Sequence, residues 1–378
     1  MQTIRQSEKG MALVMALSAI VVIGVLMAGV LFVTTQDYRI GANTVRQTGA
    51  AAAAELGLNR IPVDWDLADN TRLQTGATLT KSYIGPRGAA ANVIVTRLPG
   101  PFFWAVSEGY AGGLGSQASG RRRYGTLFRL DSPAMNFLGA ITTQGTLTVN
   151  GNVNVVGNDA APPGWSGCGG TQNVAGAAIS PTTTYTVNGN VNVMGSPSLL
   201  TTSAAGDTNT YFNYGSSSYQ SLAAAANLTY PGGLVFTGVG PIAVGGVCQP
   251  SSIPANWGDP NRASPAGACE SYFPIIHAKG DLKATTGRGQ GVLLVDGNLT
   301  VAGNFEFTGA VIVRGSLNMS GTGNKITGGV MAAQVSVQDN SAIAGNTNLR
   351  YSSCAVMSAL LANAYPKQAK ERAWVDLY

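Results

Sequence analysis

The chain has 378 residues, 45% hydrophobic and only 11% charged, with 50 glycines and a net charge of +5. Globular proteins usually carry about 25% charged residues and about 7% glycine, so this composition favours short strands and tight turns and argues against a helical bundle or a doubly wound enzyme fold. One histidine, His277, removes mechanisms needing two imidazoles, and no phosphate loop, HExxH or GxSxG occurs, so no catalysis, metal or cofactor is expected.

Residues 1–10 are short and polar, with Arg5, Glu8 and Lys9. Met11 to Val33 is 23 residues, nearly all apolar, and no charge appears from Met11 to Gln36. That is long enough to span a bilayer and longer than the core of a secretory signal peptide. The chain then continues in helical spacing. Tyr38, Ala42, Val45, Gly49, Ala52 and Leu56 form one stripe, and Pro62 stops it. One helix is therefore predicted over 11–60, its first half in the membrane and its second half projecting as an amphipathic rod. Arg5 and Lys9 precede the span, which puts the amino terminus in the cytoplasm and the bulk of the chain outside.

The run Glu8-Lys9-Gly10-Met11-Ala12-Leu13-Val14 resembles the class III leader of type IV pilins and pseudopilins. With Ala52-Ala53-Ala54-Glu55-Leu56-Gly57-Leu58, it is most similar to the PilX-type minor pilin amino terminus. The resemblance implies a prepilin peptidase cut between Gly10 and Met11. It also implies an inner-membrane stage, followed by packing against other pilins. One position departs from the pattern: the fifth residue after the cut is Met15, where major pilins carry a glutamate. That fits a rare subunit, near the filament tip, better than a bulk subunit.

Residues 61–131 read as a small pilin-like β region, with strands at 92–97, 102–106 and 124–130 and a flexible turn at 112–120. The dense basic spot Arg121-Arg122-Arg123 with Tyr124 lies just after that turn. It reads either as a solvated turn or as a patch for phosphates of nucleic acid or for a surface.

From 132 to 356 the pattern is Gly-x-apolar-x-apolar-x. Glycines fall at 139, 145, 151 and 157, at 189 and 195, and at 291, 297, 303, 309, 315 and 321. The octapeptide Thr-Val-Asn-Gly-Asn-Val-Asn-Val occurs at both 148–155 and 186–193. Repeated five-residue strands closed by glycine predict a mainly β protein built as a glycine-rich β-solenoid, with an antiparallel meander as the alternative. The block 291–350 also resembles the β-helical domain fused to PilX-type leaders, on Gly291–Thr300 and Arg350–Cys354. Residues 197–288 read as a long loop inserted in the solenoid, and 357–378 as a helical tail broken at Pro366 that caps the last coil.

The four cysteines, Cys168, Cys248, Cys269 and Cys354, have no CxxC spacing. An exported chain would pair them as disulfides. Three pairings exist, and the local pair Cys248–Cys269 with Cys168–Cys354 is preferred.

The expected function is a minor pilin of a type IV pilus or pseudopilus, serving assembly or priming. The alternative is a surface binding module on the same scaffold, an adhesin or DNA-uptake receptor for DNA or a surface glycan. Tyr211, Phe212, Tyr214 and Tyr219 are candidates to stack on bases or sugars, or else to fill a core. The acids Asp296 and Glu306 are scattered, and His277 has no evident partner.

Overall fold

The computed structural model describes residues 8–67, 69–111, 120–165, 170, 172–249, 253–262, 267–338, 347–369 and 374–377. Helix α1 runs unbroken over Glu8–Arg60. Its serine and threonine hydroxyls fold back on the helix. Ser18 donates to Val14 O at 2.9 Å, and Thr34 donates to Val30 O at 2.7 Å. No polar group of these side chains is then left to face an apolar surrounding.

The carboxyl-terminal third of α1 lies on an antiparallel sheet. Its strands are β1 (Thr78–Ile84), β2 (Ala90–Arg97), β3 (Phe102–Ala111) and β4 (Gly120–Asp131), in that order. Leu58 and Ile61, with Trp65 just beyond the helix, pack there with Val93, Val95, Phe103, Ala105, Phe128 and Leu130. The contact is close because both sides are small. A Cβ on Gly57 would lie 2.5 Å from Ser107 Oγ and 2.8 Å from Val93 Cγ2, and one on Gly109 would strike the Ala50 and Ala54 backbone. The buried stripe is thus Ala50, Ala53, Ala54 and Leu58, not the predicted one. Tyr38 and Val45 are exposed, because the close contacts of helix and sheet lie at Arg46 and beyond.

The tail differs from expectation. A helix covers Ser353–Ala362, and the chain then returns as strands Tyr365–Gln368 and Trp374–Leu377. Both pair antiparallel with the free edge of β4. The tail therefore completes the first sheet instead of capping a coil. Pro366 stands within the first of these strands, at the outer edge of the sheet, where its missing N–H costs nothing.

The second sheet has 14 strands among the described residues, and its pairings are parallel throughout, which removes the antiparallel meander. Neighbouring rungs are offset by 18 residues where 287–302 meets Phe305–Ser320: Val292 lies beside Ala310, and Leu299 beside Leu317. The six-residue glycine period is therefore one side of a rung, and three such units complete it. Gly291, Gly309 and Gly328 stack at one corner with φ of 112°, 138° and 144°. A Cβ on either of the last two would collide with the carbonyl of the glycine below. Only glycine satisfies both the left-handed backbone and the spacing.

Sequence order and spatial order differ. The rungs run Leu228–Tyr230, Ile275–Ala278, Gly287–Val295, Phe305–Ser320 and Lys325–Gln338. Strands β5 (Gly139–Thr143) and β6 (Leu147–Val156) then stack on this last rung, followed by β7 (Ala175–Ile179) and β8 (Tyr185–Met194), and finally β9 (Leu199–Thr201). The earliest strands thus lie beyond the latest. The segment predicted as a loop, 197–288, contributes rungs at 199–201, 228–230, 234–236, 275–278 and 282–284.

Residues 203–227 form a strap that carries the chain back along the stack. Gln144 Nε2 donates to Gly206 O at 2.9 Å near one end, and Asn227 N donates to Ile275 O at 2.9 Å near the other. Thr202, Asp207 and Ser218 cap its three short helices. The strap and the helix Ser353–Ala362 cover one side of the stack. Val292–Val295 and Ala310–Val313 are buried on both faces there, hence their continuous apolar runs.

Candidate functional site

The first surface of interest is α1 itself. Every large apolar side chain from Met11 to Val33 is 51–69% exposed, all round the helix. Met11 and Met15 stand on this surface. Gly10 is the third residue of α1 and lies immediately before it. A 23-residue cylinder of this kind is the only helix among the described residues long and apolar enough to cross a membrane. In water it would cost tens of kcal/mol at about 1.5–3 kcal/mol per large side chain, so lipid or protein must cover it.

The second is the edge where α1 meets β4. Arg121, Arg122 and Arg123 lie within β4, not in a turn. Together with Gln47, Glu108 and Leu377 they line a cleft of about 470 Å³. Register puts Arg123 opposite Glu108 and Arg121 opposite Tyr110. Arg121 pairs with Glu108, Arg123 Nε lies 3.9 Å from the same carboxylate, and Arg122 Nη1 lies 3.9 Å from Asp376 Oδ2. The Arg121 guanidinium also sits 5.7 Å from the Tyr110 ring centre. Its hydrogen bond holds the Glu108 carboxyl below the ordinary value, against the opposing pull of burial. Tyr124 packs on Trp374 at 5.7 Å between ring centres. Three guanidiniums thus meet two carboxylates, and the local excess is one positive charge. Sequence reasoning missed Glu108 and Asp376. Glu108-Gly109-Tyr110 and Arg121-Arg122-Arg123 lie at nearly equal distances from the centre of the predicted turn, and that symmetry was the available signal.

A third, polar cleft of about 530 Å³ is lined by Gly240, Asn261, Thr286, Arg288, Asn304 and Glu306, among others. Arg288 Nε donates to Asp259 Oδ1 at 2.8 Å on its rim.

The aromatic candidates on the strap are core. Tyr211, Tyr214 and Tyr219 are 1–3% exposed, and burial raises the pKa of each hydroxyl. The Tyr211 hydroxyl donates to Ala205 O at 2.7 Å. His277 has a partner after all: its Nε2 is 3.0 Å from Asp296 Oδ2, while Tyr219 Oη donates to Asp296 Oδ1 at 3.0 Å. Arg314 Nη1 is 3.5 Å from the same Oδ1. This cluster ties the strap to three successive rungs.

Cys248 and Cys269 are disulfide-bonded, with Cα atoms 5.0 Å apart. Cys354 is also disulfide-bonded, and its expected partner Cys168 lies outside the described residues. Among the described residues no group of three or more His, Cys, Asp or Glu could hold a metal ion.

No family model and no curated protein matches the chain. Among solved structures it is similar to the crystal structure of the competence-associated pilin ComZ from Thermus thermophilus. The identity is 12% and the TM-score 0.24, over 88% of this chain and 96% of that one.

Proposed function

We propose that this chain is a minor pilin-like subunit of a type IV pilus or pseudopilus. It is held first in the inner membrane by α1 and then packed by the same helix against other pilins. The observation that carries this reading is the two-part helix. Residues 11–33 are apolar and exposed on every side, and the same unbroken helix buries Ala50–Leu58 in an antiparallel sheet. A helix that must be covered by lipid in one state and by neighbouring helices in another needs this division. In this reading Gly10–Met11 is the processing site, and Met15 marks a subunit without a carboxylate to pair. The parallel stack is read as a β-solenoid carried near the filament tip, a structural part rather than an enzyme. Its bulk favours the tip, since it would crowd an array of identical subunits.

Adhesion and DNA uptake are the second reading, favoured by the excess charge of the Arg121–Arg123 cleft. Intact mass and amino-terminal sequencing, with and without prepilin peptidase, test the first. A chain beginning at Met11, found in sheared filaments only when the peptidase is active, is the expected result. A full-length chain confined to the membrane overturns it.

A further inference from the structure

Strand β8 ends the 14-stranded sheet, with no strand on its far edge among the described residues. It carries no charge and no proline over its ten residues, and Val187, Asn188, Gly189, Asn190, Asn192 and Met194 are exposed. Edge strands are normally protected by charge, proline or a cover, because an open row of N–H and C=O groups recruits another strand. This edge lacks the first two. It also leaves the apolar interior of the stack open, and Val187 is 39% exposed there.

The sequence of β8 already recognises itself inside the molecule. Thr186–Val193 is an identical copy of Thr148–Val155 in β6, and the two pair residue for residue. The asparagines form a ladder. Asn188 Nδ2 donates to Asn150 Oδ1 at 3.0 Å, and Asn190 Nδ2 donates to Asn152 Oδ1 at 3.2 Å. Both donors point back into the stack, so the ladder holds β8 in register on β6. The centre of β8 is also a palindrome, Val187-Asn188-Gly189-Asn190-Val191. A two-fold axis through Gly189 would set Asn188 against Asn190 and Val187 against Val191 of a second chain, with glycine meeting glycine where both rungs turn. A neutral strand meets its own copy without like-charge repulsion, so the edge is complementary to itself in charge, in its open row of backbone N–H and C=O groups and in apolar surface.

We propose that β8 is an interface for a second copy of this chain, which pairs antiparallel with it, end to end, about Gly189. The full chain in detergent micelles is compared with the double variant Asn188→Lys/Asn190→Lys. Both positions are exposed and outside the core. Sedimentation is expected to give a dimer of the wild type at roughly 100 µM, where contacts of ordinary strength are saturated. The variant is expected to dissociate at least tenfold more readily, with the thermal midpoint lowered by only a few degrees, about what the loss of two exposed hydrogen bonds costs. A wild type that stays monomeric overturns the proposal, and so does a dimer that survives both lysines, since that would be held by α1. The register has its own test. A mixture of Asn188→Cys and Asn190→Cys chains should cross-link one with the other. Cross-linking of each variant only with itself overturns the two-fold arrangement.

Discussion

Asp296 shows how one carboxylate joins segments that are far apart in sequence. Burial pulls its carboxyl up, but Tyr219, His277 and Arg314 outweigh burial and hold it below its ordinary value of 3.8. A carboxyl depressed in the folded state adds stability above its ordinary value, and that stability is lost as pH falls through the folded one. Asp296→Asn should therefore lower the thermal midpoint by about 2–4 °C at neutral pH. The gap to wild type should close as pH drops below 3.8. A gap that stays constant down to the acid transition would show that the charge contributes nothing. The partners of Asp296 were partly legible. Asp296 and Arg314 are 18 residues apart, the rung offset, and both lie at the same turn of successive rungs. Tyr219 was not legible, because nothing local says that the strap passes over this turn.

Between elements, the contact of α1 with its sheet depends on the absence of side chains. Gly109 of β3 sits against the Ala50 and Ala54 backbone. Gly109→Ala should destabilise the full chain by about 1–3 kcal/mol, the usual cost of overpacking. Gly41 is in the same helix, and a Cβ added there would meet nothing within 4 Å. Gly41→Ala should be neutral or stabilising by up to about 1 kcal/mol, from helix propensity alone. Thermal or urea midpoints of the two variants check both. Equal effects would mean that the sheet does not press on the helix. The existence of α1 and the presence of Ala50–Ala54 at its buried end could be read from composition and spacing. Which neighbouring stripe is buried could not, since small residues occupy both and the choice depends on where the sheet lies.

Across the molecule, the α1 sheet and the 14-stranded stack are joined through the helix Ser353–Ala362. Asn70 is central to that junction. Its Oδ1 accepts from Trp65 Nε1 at 2.7 Å. Its Nδ2 donates to Leu361 O and Ala364 O, each at 2.8 Å. Asn70→Ala would strand these buried groups at a cost of about 1–3 kcal/mol. Faster hydrogen exchange in 353–362 and altered Trp65 fluorescence are expected, with exchange in Val292–Val313 unchanged. Uniform loosening of both sheets would instead show that they unfold as one unit.

Sequence alone determined the apolar helix, the mainly β composition and the glycine-closed strands, and it favoured the Cys248–Cys269 pair that the structure shows. These rest on local chemistry: apolar length, period and loop closure. Tertiary structure decided which rung lies beside which, that 139–201 stacks beyond 325–351, and that the tail returns to β4. Parallel rungs carry nearly interchangeable apolar faces, so any of them could pair with any other by pattern. The choice is made by the strap, the corner glycines and the side chains that must fit above and below, and those meet only once the chain has folded.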